Sequence, residues 1–150
     1  MSDIHIDDFY RDTARILVAL YNQFPRKTTL YVEDIAGPDK PDEFGLHSPR
    51  HLACFHTILW LAQTDYVHYE SLIRQEAADQ IVLSHRGFLL LTSMHNSEKK
   101  DIEANIPATP GISLQEHLLV NRIRRELKEG SSFSLAALMR NTLLHSRSFP

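Results

Sequence analysis

Nine histidines and one cysteine are the side chains of this 150-residue chain best suited to chemistry near neutral pH. Imidazole changes charge around pH 6.5 and is the commonest metal ligand, so each histidine is a candidate for proton transfer or ligation. A helical metal pair needs ligands three or four residues apart, and His51 with Cys54 has that spacing. Two ligands do not close a zinc site, and both positions fall on the apolar side of their segment. They read as a core histidine and a buried thiol. Asp65 and His68 bracket a turn, with no serine or cysteine nucleophile beside them in sequence. The chain has neither a glycine-rich phosphate loop nor a His-Glu-x-x-His pair. The pattern therefore predicts no catalytic residue, metal ligand or cofactor, and not an enzyme.

Cations are the second group with chemical potential. Arg26 and Lys27 follow the first helical segment, Arg50 and Arg74 lie mid-chain, and Arg122, Arg124, Arg125 and Lys128 crowd one late segment. Glu126 and Glu129 interleave that last group, which reads as a solvated helix face. Net charge is −3; residues 1–46 hold five Lys/Arg against nine Asp/Glu, and residues 98–150 hold eight against six. That is not the basic balance that by itself points to nucleic acid, although it leaves room for a local basic patch.

Composition sets the frame for these side chains. Hydrophobic residues at 43% and charged residues at 23% are ordinary for a globular domain with one core. A single cysteine excludes an internal disulfide and favours a reducing compartment. Residues 1–8 are acidic without an apolar centre, so they do not read as a signal peptide. No run reaches the roughly 18 apolar residues that suggest a membrane span. The expectation is a cytoplasmic protein with no membrane contact.

Periodicity then places the elements. Ile6, Phe9, Tyr10, Thr13, Ile16, Leu17, Leu20, Tyr21 and Phe24 recur at steps of three and four and predict a helix over 6–24, with Asp7, Asp8, Arg11, Asp12 and Arg15 on its solvated side. A short extended stretch from Thr28 leads into one or two helical turns before Gly37. Residues 37–47, with two prolines and two glycines, read as a loop. Ser48 followed by Pro49 restarts a helix that runs to about Thr64. Val67 to about Leu72 and Gln80 to Leu83 predict two strands, joined by Arg74 to Asp79. Ser84 caps a helix holding Phe88, Leu91 and Met94. Pro107 and Pro110 bracket a linker. Beyond it, Ser113 with Glu116 forms a capping box for a helix carrying Leu119, Ile123 and Leu127 and ended by Gly130. A last helix, capped by Ser134 with Phe133 stapled onto Leu138, carries Leu135, Leu138, Met139, Thr142 and Leu143.

Three stretches carry a resemblance: Thr57-Ile58-Leu59-Trp60-Leu61, then Asp65-Tyr66-Val67, then Ile81-Val82-Leu83-Ser84-His85-Arg86-Gly87-Phe88. With the order helix, strand, helix, helix, strand, strand, helix, they resemble the winged-helix family over roughly residues 6–95. The resemblance implies an α+β winged helix with a small antiparallel wing, here followed by a C-terminal helical extension. It divides the chain into a winged-helix domain, 1–106, and a helical hairpin, 107–150, packed on the same core or on a second subunit. Asp65 stands where the family usually has glycine, and Asp tolerates a left-handed backbone better than most residues.

Two functions of different class follow, the first as the main expectation because small winged-helix chains commonly bind DNA, the second as its alternative. In the first, the chain is a dimeric DNA-binding regulator of transcription, with Arg50, His56, Gln63, Arg74, Arg26 and Lys27 on the duplex and the C-terminal helices pairing two subunits as a homodimer. In the second it is a winged-helix protein-interaction module that does not bind DNA. The helix over 48–64 favours the second, because Leu52, Phe55, Leu59 and Trp60 are expected to face outward, whereas base edges are read by donors and acceptors. The wing carries Arg74 against Glu76 and Asp79, a poor match for phosphates. The stripes Leu119, Ile123, Leu135 and Leu138 exceed the evident needs of the winged-helix core and are expected to meet a protein partner.

Overall fold

In the computed structural model, which describes residues 3–94 and 118–146, one helix organises the rest. Helix α1 (Ile4–Gln23) is flanked by α3 (Pro49–Gln63) and by two C-terminal helices, α5 (Leu119–Glu129) and α6 (Ser132–His145). A helix covered on several sides must bury more than one stripe. Accordingly α1 buries Thr13, Ala14, Ile16, Leu17 and Leu20, and also Asp12, which the periodicity assigns to solvent. The correction has a simple cause: α3 covers the side of α1 that carries this carboxylate.

The other described elements are β1 (Thr28–Tyr31), α2 (Val32–Ala36), β2 (Val67–His68), β3 (Ser71–Ile73), β4 (Ala77–Leu83) and α4 (His85–Leu91). Together they make a mixed α+β fold with six helices and a small antiparallel sheet of four strands. β4 is the central strand, with β1 on one edge and β2 followed by β3 on the other. One register holds along the second edge, from Val67 opposite Leu83 to Ile73 opposite Ala77. Opposite β1 the register shifts between Thr28 and Leu30, where Gln80 takes a φ of 53° as the extra residue of a bulge. The hairpin turn is shorter than expected: residues 74–76 suffice, and Ala77 to Asp79 already pair in β4.

Local signals fix several boundaries. Ser48 accepts a hydrogen bond from the His51 amide, with Pro49 in the first turn of α3. Asp65 adopts φ 66° and turns the chain out of α3. Ser84 caps α4 through the Gly87 amide. Gly130 ends α5. The cap of α6 is corrected from Ser134 to Ser131, whose hydroxyl accepts from the Ser134 amide, and Phe133 is exposed, so it staples nothing.

Leu119, Ile123, Leu135 and Leu138 are buried within the chain itself, in the same cluster as Ile16, Leu17 and Ile58. Each such side chain gains about 1.5–3 kcal/mol on burial, and α1 supplies the surface that the sequence pattern did not reveal. Their assignment to a partner is therefore corrected: the C-terminal hairpin packs on the same core. The Pro107 and Pro110 linker, the Ser113 and Glu116 capping box and the 106/107 boundary lie outside the described residues. No helix among the described residues is long and apolar enough to cross a membrane.

Candidate binding face

The first turn of α3 settles the position of Arg50. Its two terminal nitrogens donate to the two oxygens of Asp12 at 2.6 and 2.5 Å, while that carboxylate is only 1% exposed. The hydrogen bonds that Arg50 donates to Asp12 raise the guanidinium pKa above its ordinary value. A buried carboxylate needs such a partner, and the bidentate fork satisfies both oxygens. Arg50 is thus committed to holding α3 on α1.

Along α3 the buried side is broad, because α1 and α2 both pack on it. His51, Cys54, Phe55, Thr57, Ile58 and Leu61 are all buried. Phe55 is 5% exposed, so its outward placement is corrected. Leu52 and Leu59 are half-buried on the flank, and Ala53, His56, Trp60 and Gln63 form the exposed row. Burial raises the Cys54 thiol pKa to about 12, and the thiol sits beside Asp12.

Trp60 joins two grooves. Its ring meets Phe9 edge-on at 5.1 Å and lies 6.3 Å from Tyr66, yet the residue is 37% exposed. On one side, His5, Ile6, Phe9, Ala53, His56 and Thr57 join Trp60 around a mainly apolar groove of about 260 Å³, with Asp12 at its base. On the other, Phe9, Tyr10, Trp60, Thr64, Tyr66, Leu143 and Leu144 enclose about 480 Å³, with Arg86 and Arg140 as the charged lining. Arg86 lies over the Tyr66 ring at 4.8 Å and donates to the Tyr66 and Ser146 hydroxyls, which bond each other. Its Nε is buried and unpartnered among the described residues, and no described carboxylate lines this groove.

The remaining cations proposed for DNA do not converge. Arg26 and Lys27 precede β1, and Lys27 pairs with Glu70 at 3.1 Å. Arg74 sits at the hairpin turn beyond the other end of β1, since Tyr31 pairs with Ala77. At about 3.3 Å per residue, β1 alone separates the two groups by roughly 10 Å or more. In the late basic cluster, Arg124 is docked on α1, bonded to Asn22 and placed over the Tyr21 ring.

A second constellation lies at the other end of α3. Asp39, His47 and His51 bring ligand-capable atoms within 4.8 Å of one another. Hydrogen bonds from Ser48 and then His47 hold the Asp39 carboxyl at a pKa of about 2. The sequence pairs His51 with Cys54; the structure sets it instead among residues of the 37–47 loop. His47 could have been found from its four-residue spacing to His51, but Asp39 carries no local signal. Ile6, Phe9, Arg86 and Arg140 were likewise missed as lining residues, because the first two fit a core stripe and the last two are ordinary helix cations. The chain matches no known family, no curated protein and no solved structure, so these side chains and their geometry carry the functional argument.

Proposed function

We propose that this chain is a winged-helix protein-interaction module whose binding face is the Trp60-centred groove between α1, α3 and α6. The element order, the sheet with β4 at its centre, and the Asp65 and Ser84 turns support the winged-helix reading. One observation carries the function: an exposed tryptophan walls an aromatic groove that presents two arginines and no described carboxylate. Partly exposed aromatics and arginines are the side chains that dominate protein interfaces. The fitting partner is a segment of another protein that presents aliphatic or aromatic side chains flanked by Asp or Glu. Duplex DNA is the weaker partner. Of the cations assigned to it, Arg50 serves Asp12, Lys27 serves Glu70, and Arg74 is remote from Arg26.

Trp60 is the only tryptophan, so its fluorescence reports the groove directly. Titration with an acidic amphipathic peptide should shift the emission saturably, and a basic peptide of the same apolar residues should not. Arg140→Glu, on the surface, should weaken the acidic peptide at least tenfold, the effect of about 1.4 kcal/mol. Equal response to both peptides would sink the proposal. Tight binding of random duplex, indifferent to Arg140→Glu, would restore the DNA-binding regulator.

A further inference from the structure

The cluster of Asp39, His47 and His51 has no role in the groove, and it gathers three ligand-capable atoms within 4.8 Å of one another. His51 is 2% exposed, and its Nε2 lies 2.7 Å from the Gln75 carbonyl oxygen in the hairpin turn. A carbonyl only accepts, so Nε2 carries a proton, and in the tautomer with that single ring proton Nδ1 presents a bare lone pair. That Nδ1 is buried without a hydrogen-bond partner among the described residues, and Asp39 Oδ2 lies 3.8 Å from it. His47 is arranged in parallel, its ring stacked on His51 with centroids 3.8 Å apart. Its Nδ1 faces the same Asp39 oxygen at 2.8 Å, and its Nε2 faces the Glu76 carboxylate at 4.0 Å. Both rings thus turn Nδ1 toward one carboxylate and Nε2 toward an acceptor on the hairpin turn. Metal-ligating histidines show this division of labour, with an outer acceptor fixing the ring; His51 has that outer hydrogen bond, while Glu76 stands beyond hydrogen-bond distance of His47.

We infer that Asp39, His47 and His51 form a binding site for a divalent transition metal of the zinc type, joining the 37–47 loop to the first turn of α3. Two imidazoles and one carboxylate suit zinc or its neighbours, whereas calcium and magnesium require oxygen donors. Zinc bonds to nitrogen and carboxylate oxygen at about 2.0–2.2 Å, which puts tetrahedral ligand atoms about 3.3 Å apart. The two separations from Asp39, 2.8 and 3.8 Å, bracket that value, and all three ligand atoms lie within 4.8 Å of one another, so side-chain shifts on the ångström scale would complete the set. Ligation displaces the proton that His47 Nδ1 donates to Asp39, and the ring ligates as the neutral tautomer protonated at Nε2: a neutral ring moves its proton from Nδ1 to Nε2 by way of solvent, and an imidazolium releases the Nδ1 proton to solvent. Ser48 already bonds the Asp39 carboxylate through its hydroxyl at 2.5 Å and fixes its orientation. Three protein ligands leave a fourth position for water.

The experiment is calorimetric titration of the chelator-treated full chain with zinc chloride. One ion per chain is expected. His47→Gln, on the partly exposed loop, should weaken binding at least about tenfold, and Glu76→Gln, behind it, by up to about tenfold. His68→Gln, which removes the exposed pair with Asp65, should change nothing. Since His51→Gln could unfold the chain, His51 is tested in the wild type, through the imidazole nitrogen resonances. Zinc should move Nδ1 of His47 and His51 and leave the other histidines in place. No saturable binding, or binding indifferent to His47→Gln with the His51 resonances unmoved, would overturn the site.

Discussion

Gly87 offers the sharpest test of how the strand-to-helix junction is built. A Cβ at this position would lie 2.3 Å from the Tyr66 carbonyl oxygen, 3.3 Å from its carbon and 3.4 Å from Leu83 Cδ2. The oxygen cannot yield cheaply, because it accepts the Ser84 amide at 3.0 Å. Ser84 in turn donates its hydroxyl to the Asp65 carbonyl at 2.6 Å and caps the Gly87 amide at 2.9 Å. In Gly87→Ala the methyl must retreat about 1 Å to reach an ordinary carbon–oxygen contact. Overpacking of a tight site costs about 1–3 kcal/mol, and loosening the Ser84 bond costs about 1 more. Alanine's better helix propensity returns at most about 1 kcal/mol. The net expectation is a loss of about 1–3 kcal/mol, or a melting point lower by about 2–12 °C for a chain of this size. Urea denaturation followed by Trp60 fluorescence should show a lower midpoint with an unchanged slope. An equal or higher midpoint would show that α4 can slide off the Tyr66 carbonyl, and the account of this junction would fail.

Three further outcomes follow from the packing. Arg50→Met strands the Asp12 carboxylate and should cost about 2–4 kcal/mol in chemical denaturation, below the value for a fully buried pair because Arg50 is 33% exposed; adding Asp12→Leu should recover most of it. No loss from Arg50→Met alone would return the guanidinium to the list of DNA contacts. Cys54, with its thiol pKa at about 12 and no exposure, should react with a disulfide reagent at pH 8 only after denaturant is added; rapid reaction of the folded chain would place it elsewhere. Because the C-terminal hairpin is buried against its own chain, the unfolding midpoint should not change across a hundredfold range of protein concentration. A rising midpoint would mean that subunits share those helices.

What the sequence could disclose divides along the distance over which each cause acts. Ser48 with Pro49, Asp65, Ser84 and Gly130 end or begin elements through bonds and dihedrals within a few residues, and all are legible. The cap of α6 was missed by three residues because Ser131, Ser132 and Ser134 are chemically alike, and only the backbone decides which amide is unpaired. Asp12 and Phe55 failed for another reason. A helix stripe records where apolar side chains recur, not how many neighbours the helix acquires, and both α1 and α3 are packed from more than one side.

The two candidate sites follow the same division. Trp60 is legible as an apolar residue on an outer row, but its groove needs Phe9 from α1, Arg86 from α4 and Leu143 from α6. Spacing can pair His51 with Cys54 on one helix, yet residues three apart need not serve one site: Cys54 lies beside Asp12 while His51 turns toward the loop. The deciding partner, Asp39, stands in a proline-rich loop where no period exists to flag it. A loop folded back on its own helix cap is therefore where side chains remote in sequence can gather into a metal site, and where a reading of helices and strands is least able to find one.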